Sequence, residues 1–138
     1  MSNIHATAVA RHGHAVLLLG ASGSGKSDLA LRLIDRGWGL IADDRVDIIA
    51  QGGQLWAHCP PAILGQMEVR GVGICPVLPH HPAPIALTVK LSHPIRVQTP
   101  ATWLHEGHAL PHFHLAPFEV SAALKVEQTL ALVVGALG

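Results

Sequence analysis

Cysteine is scarce in this sequence. Cys59 and Cys75 stand alone, with no CxxC pair, and read as buried thiols of a reducing, cytosolic compartment. Charge is scarce as well. Charged residues make up 13%, and nine basic side chains balance nine acidic ones. A neutral chain argues against a nucleic-acid partner held by phosphate neutralisation. Long apolar runs are missing, since none reaches the ~18 residues of a membrane-spanning helix. The start, Met1-Ser2-Asn3-Ile4-His5, lacks the basic and apolar regions of a signal peptide. These absences predict a cytoplasmic chain with no membrane and no nucleic-acid partner.

What is abundant is apolarity. Hydrophobic residues make up 49% of the 138, and mean hydropathy is positive. That excludes disorder and predicts one core-bearing domain over residues 1–138. Little charge on so apolar a chain points to surface hidden in a homo-oligomer.

The chain is organised around residues 15–28. Ala15 to Leu19 is an apolar run of strand length. Gly20-Ala21-Ser22-Gly23-Ser24-Gly25-Lys26-Ser27 follows and fills every fixed position of the P-loop pattern. Leu29, Ala30, Leu33 and Ile34 then recur at helical spacing. Strand, glycine-rich loop and helix is the context that the pattern needs. The glycines let successive N–H groups turn inward around an anion. The helix start adds unpaired donors and the positive end of its dipole. Lys26 supplies a charge for the outer phosphates, and the Ser27 hydroxyl is a ligand for Mg²⁺. The competing reading is a glycine turn that only joins a strand to a helix.

Before and into the loop, residues 5–19 read as two short strands joined by a hairpin turn at Arg11 to His14, which places His5 on the strand beside the one feeding the loop. The helix from Lys26 should stop at Arg36-Gly37. Leu40-Ile41-Ala42 is a second strand, read as the parallel neighbour of the first, and it closes on Asp43-Asp44. Both aspartates then face the loop across one sheet edge; the plainer reading is a polar turn. Residues 46–58 read as a hairpin, Ala62 to Met67 as a helical turn, and Glu68 to Ile74 as a loop with a surface ion pair running into a strand. Ile85 to Leu91 is a strand, 92–111 irregular, and 111–115 a short strand. Ser121 caps a last helix containing Leu124, Val126, Leu130, Val133, Val134 and Leu137.

Three segments together resemble the HPr kinase/phosphorylase catalytic domain. They are Gly20 to Ser27, Leu40-Ile41-Ala42-Asp43-Asp44 and Glu68-Val69-Arg70-Gly71-Val72-Gly73-Ile74, similar to the family's GxSGxGKS, LVADD and EIRGxGI signatures. His5 sits where the family places a histidine. The resemblance covers residues 5 to about 77 well and the remainder in outline. It implies an α/β fold: a P-loop, phosphoenolpyruvate carboxykinase-like core sheet with flanking helices and β-hairpins. It implies ATP-dependent phosphorylation of a serine of HPr, the phosphotransferase-system carrier, by a homo-oligomer that is typically a hexamer. It also implies reverse phosphorolysis in many members.

By the same resemblance, Lys26 binds the β- and γ-phosphates, and Ser27 and Glu68 bind Mg²⁺. Asp44 is the general base, and Asp43 helps to place the metal or the base. Arg70 holds a carboxylate or a phosphate, and His5 assists Asp44. The family's later catalytic arginine has one candidate, Arg96, the sole arginine after Arg70. Two departures stand out. The catalytic domain begins at once, as in a short form without the usual N-terminal domain. The region His112 to Glu119 has neither Arg nor Gly, where the family carries a VRPGRN-type segment linked to phosphorolysis. That leaves the reverse activity unsupported by the pattern.

Other readings compete. Eleven histidines, among them His105, His108, His112 and His114, raise a zinc site, but no cysteine or acidic residue completes a familiar ligand pattern. A P-loop kinase for a small metabolite would need a lid and more basic residues. A non-catalytic nucleotide sensor would be expected to lack Asp44 or Glu68, and both are present.

Overall fold

The computed structural model describes residues 1–135; Leu137, assigned by pattern to the last helix, lies outside them. In chain order the strands begin with β1 (Ser2–Ile4), β2 (Ala6–Arg11) and β3 (His14–Leu19), followed by helix α1 (Lys26–Asp35). Then come β4 (Gly39–Ala42), β5 (Val46–Gln51), β6 (Gln54–His58), a 3-10 turn (Pro61–Ile63), β7 (Gln66–Val69) and β8 (Gly73–Pro76). The chain ends with β9 (Ala83–Leu91), β10 (Ala101–His105), β11 (His108–Leu115) and α2 (Ala122–Val134). Nine strands form one sheet ordered β1-β5-β6-β9-β3-β2-β4, with β11 also on β9 and β10 on β11. β7 and β8 form a separate two-stranded hairpin.

The apolar run in β3 is buried on both faces, as an internal strand requires. Val16 and Leu18 point to one side, where they meet Leu29 and Leu33 of α1 and Val126 and Leu130 of α2. Ala15 and Leu17 point to the other, where the sheet curls so that Ile48, Leu55 and Ile85 close over them. The long strand β9 makes this curl. Its first residues pair antiparallel with β6, and its last four pair parallel with β11 on the same edge. Helix α1 stops where Gly37 takes φ 98° and its N–H reaches Ile34 O, the expected left-handed stop.

Several expectations need correction. His5 is not on a strand but in the bend between β1 and β2. β3 and β4 are not neighbours, because β2 lies between them and pairs antiparallel with both. They still run the same way, so both C-terminal ends share one edge of the sheet. The helical turn expected over Ala62–Met67 is only Pro61–Ile63. Gly65, at φ 72°, turns the chain, and Met67 lies in β7. Residues 66–76 are a hairpin, with Glu68 opposite Ile74; among the described residues no ion pair joins Glu68 to Arg70. The span 92–111 contains β10 and the start of β11, with register running from Ala101↔His112 to His105↔His108. Histidine and Pro111 hid that alternation. Ser121 does stand at the start of α2, but caps it through its carbonyl, which accepts from Lys125 N–H, and not through its hydroxyl.

Candidate active site

The glycine-rich loop leaves β3 at its C-terminal end and turns directly into α1. Gly23 and Gly25 have φ of 81° and 103°, where any side chain would be strained. Gly25 is the residue before the helix and carries no side-chain cap, so the first-turn N–H groups face the loop's concave side. Lys26 folds back over that loop. Its Nζ donates to Gly20 O at 2.7 Å and Ala21 O at 3.1 Å, and the residue is 6% exposed. Burial pushes its pKa below the ordinary lysine value; Asp44 and Asp43 oppose that shift, and Lys90 adds to it. Two neutral carbonyls compensate an ammonium only in part, and a third proton remains free. Ser24 Oγ is buried with no partner, a further donor left over in the loop. Unpaired first-turn N–H groups and an under-compensated cation fit an anionic phosphate chain.

Asp43 ties four elements together. Its Oδ1 accepts from Ser27 Oγ of α1 at 2.7 Å and from Thr7 Oγ1 of β2 at 3.0 Å. Its Oδ2 accepts from the backbone N–H of Glu68 in β7 at 3.1 Å. The side chain of Asp44 is the exposed one of the pair. It is 66% exposed, with Oδ1 2.6 Å from His5 Nε2. Its backbone sits at φ 72°, an uncommon state for a non-glycine residue that often marks a functional turn. These side chains border a cavity of about 600 Å³, whose walls include Ser22, Lys26, Ser27, Asp43, Asp44, Glu68 and Arg70, with Phe118 exposed beside Gly25. That volume suits a small organic ligand. Arg70 reaches the loop, with Nη2 3.6 Å from where a Cβ on Gly23 would stand. Ser27 Oγ and the Asp43 and Glu68 carboxylates are all-oxygen donors, the set that Mg²⁺ prefers.

The structure thus gathers Lys26, Ser27, Asp43, Asp44, Glu68 and Arg70 around one cavity, with His5 joined through Asp44. It does not bring Arg96 there. Arg96 borders a different cavity of about 260 Å³, with His114, Glu119 and Lys125. The cause is Gln98, whose side-chain amide bonds both O and N–H of His114 and fastens this segment along β11. Sequence reasoning missed Thr7, which looked like one alternating position in a strand. It also missed Arg32, whose guanidinium bonds Pro117 O and Glu119 O and fixes the segment before α2. The late histidines are engaged separately: His105 with Ser2, His112 with Thr88 and His114 with Ser92.

Among solved structures, the Hpr(Ser) kinase/phosphatase from Coxiella burnetii superposes with a TM-score of 0.84, covering 99% of this chain and 94% of that one at 24% identity. It shares the mixed α/β fold with its curled sheet. The HPr kinase/phosphorylase of Streptococcus thermophilus is 45% identical over 78 residues, 56% of this chain and 25% of the relative. That of Bordetella petrii is 53% identical over 64 residues, 45% of this chain and 20% of the relative. The chain thus spans about a quarter of the length of the curated relatives it matches. The model of the HPr Serine kinase C-terminal domain family matches residues 1–93, all three signature segments included, and by that match the chain belongs to this family.

Proposed function

We propose that this chain transfers the γ-phosphoryl group of Mg·ATP to a serine of an HPr-type carrier protein. The observation that carries the proposal is the single cavity shared by Lys26, Ser27, Asp43, Asp44, Glu68 and Arg70. In this reading the glycine-rich loop is a P-loop, and the core is of the phosphoenolpyruvate carboxykinase-like type within one domain. The loop N–H groups and Lys26 bind the phosphates. Ser27 Oγ, Asp43 and Glu68 hold Mg²⁺, which supplies neutralisation of the charge on the transferring group. Arg70 lies across the loop and takes the outer phosphate. Asp44 accepts the proton of the serine hydroxyl as that oxygen bonds phosphorus and the bond to ADP breaks. His5, hydrogen-bonded to Asp44, keeps the carboxylate oriented.

Exposure favours a protein substrate. Asp44 stands on the cavity wall with its side chain 66% exposed, as a serine presented on another protein's surface requires. Arg96 has no role in this scheme. The segment 112–119 contains no arginine, so the reading is of the forward reaction. Self-association belongs to the same reading, since Val72 and Ile74 expose apolar surface on the hairpin that carries Glu68, and Leu78 does so just after it.

The test is incubation of the protein with Mg·ATP and purified HPr from the same cell, read by intact mass. Gain of one phosphate on HPr is expected. Asp44→Asn should bind ATP normally yet lose about 10²–10⁴-fold in rate, the usual share of a general base. Lys26→Ala should weaken ATP binding about tenfold or more as well as transfer. Normal transfer by Asp44→Asn would remove the base assigned here. ATP binding without any transfer to HPr would leave a small-metabolite kinase or a nucleotide sensor.

A further inference from the structure

Thr7 is fully buried in β2, in a strand whose neighbours Ala6, Ala8 and Val9 carry no polar side chain. A buried hydroxyl costs free energy unless it is bonded, and this one has two partners with opposite roles. Its O–H donates to Asp43 Oδ1 at 3.0 Å, and its oxygen accepts the backbone N–H of Asp44 at 3.3 Å. The same Asp43 oxygen receives Ser27 Oγ at 2.7 Å. One hydroxyl therefore touches the side chain of the first aspartate and the backbone of the second, at the point where Asp44 takes its left-handed turn. β2 can do this because it lies between β3 and β4. On one side it pairs with the strand that feeds the loop, and on the other with the strand that feeds the aspartates. Its register with β4 shifts between Ala8 and Val9, just beside Thr7.

We infer that Thr7 is a positioning residue that locks the two aspartates and Ser27 into one unit. It fixes the Asp43 carboxylate for the metal through the side-chain bond, and aims Asp44 outward through the backbone bond. This rests on the phosphotransfer reading of the site. Partners one bond removed from metal ligands commonly change metal affinity or activity about 10–100-fold when lost. Thr7→Val keeps the shape and removes only the hydroxyl; Thr7→Ser keeps the hydroxyl and removes only the methyl.

The experiment compares parent, Thr7→Val and Thr7→Ser in two assays. Mn²⁺, visible by electron paramagnetic resonance as a stand-in for Mg²⁺, is titrated with a non-hydrolysable ATP analogue present. Transfer to HPr is followed as kcat and KM. Thr7→Val should lose about 10–100-fold in Mn²⁺ affinity and in kcat, with KM for the carrier unchanged, and Thr7→Ser should recover most of both. Equal Mn²⁺ affinity and kcat in parent and Thr7→Val would overturn the inference. So would a serine variant as weak as the valine one, because the methyl would then matter and not the hydroxyl. If the parent binds Mn²⁺ and the analogue but never phosphorylates HPr, the kinase reading fails while the affinity series still reads Thr7. Should Thr7→Val not fold, or the parent not bind, proton NMR of the parent decides. A Thr7 hydroxyl proton in slow exchange supports the assignment, and one at the solvent rate overturns it.

Discussion

At Gly25 the backbone stands at φ 103°, and an added methyl would lie 2.9 Å from Phe118 Cζ. Gly25→Ala should therefore destabilise the protein through two separate causes. The left-handed backbone alone accounts for about 1–2 kcal/mol, and contact with Phe118 adds to it. Urea unfolding of Gly25→Ala, with and without Phe118→Ala, separates them: the double variant should recover only the contact part. Full recovery would mean that the backbone conformation is not strained. Legibility at this scale followed the span of each interaction. The placement of Lys26 and Ser27 on the cavity wall was readable because it depends on a loop only a few residues long. Asp43, Asp44 and Glu68 were readable through a resemblance, although their convergence depends on strands far apart in sequence. Thr7 was not, because its importance comes from contacts 36 and 37 positions away, and threonine in a strand has an ordinary explanation.

Helix α2 is fastened by one carboxylate. Glu127 accepts from Arg11 Nη1 at 2.6 Å, from Arg36 Nε and Nη2 at 2.9 and 2.7 Å, and from Trp38 Nε1 at 3.1 Å. The Arg36 hydrogen bonds come first in holding its pKa below the ordinary glutamate value; burial opposes them, and Trp38 and the charge of Arg11 assist. A carboxyl with a lowered folded pKa binds fewer protons folded than unfolded. Its contribution is thus complete above the unfolded value of about 4.3 and is lost as pH falls through the lowered value. Glu127→Gln should cost about 1.5–3 kcal/mol at pH 7, and the gap in Tm from the parent should close on acidification below about pH 4. A gap that stays constant down to pH 2 would show that packing, not charge, holds α2. Sequence pattern found α2 and α1 because helical periodicity survives whatever lies opposite. It failed at β10, where Trp103, His105 and an exposed Leu104 break the alternation that a strand normally shows.

The whole sheet is built outward from β3 and β9, whose pairing joins the two faces of the core. Leu17, Leu18 and Leu87 are fully buried there. Their amides should exchange hydrogen only through global unfolding, whereas Val72 and Ile74, exposed at and beside the turn of the separate β7–β8 hairpin, should exchange through local opening. Addition of Mg·ATP should slow exchange at Glu68 and Arg70 and should raise stability by about 2.7 kcal/mol at a ligand concentration one hundred times Kd. Unchanged exchange at Glu68 and Arg70 in saturating Mg·ATP would separate the hairpin from nucleotide binding. The topology at this scale was the least legible. Local signals placed β2, β3 and β4 correctly, but nothing within any one strand says that the first lies between the other two.

That interleaving has a mechanical side. β1 holds the N-terminal end to the sheet through three residue pairs with β5 and the side-chain bonds of Ser2 with His105 and of Asn3 with Asp47, while β2 is gripped on both edges. Tension on the N-terminal end would load β1 first, then the bend carrying His5, and would meet firm resistance only at Ala6 and beyond. The exposed half of the site, His5 on Asp44, would come apart under a pull that leaves Asp43, Thr7 and Ser27 clasped, so that a tug on the chain divides the cluster before the sheet unfolds.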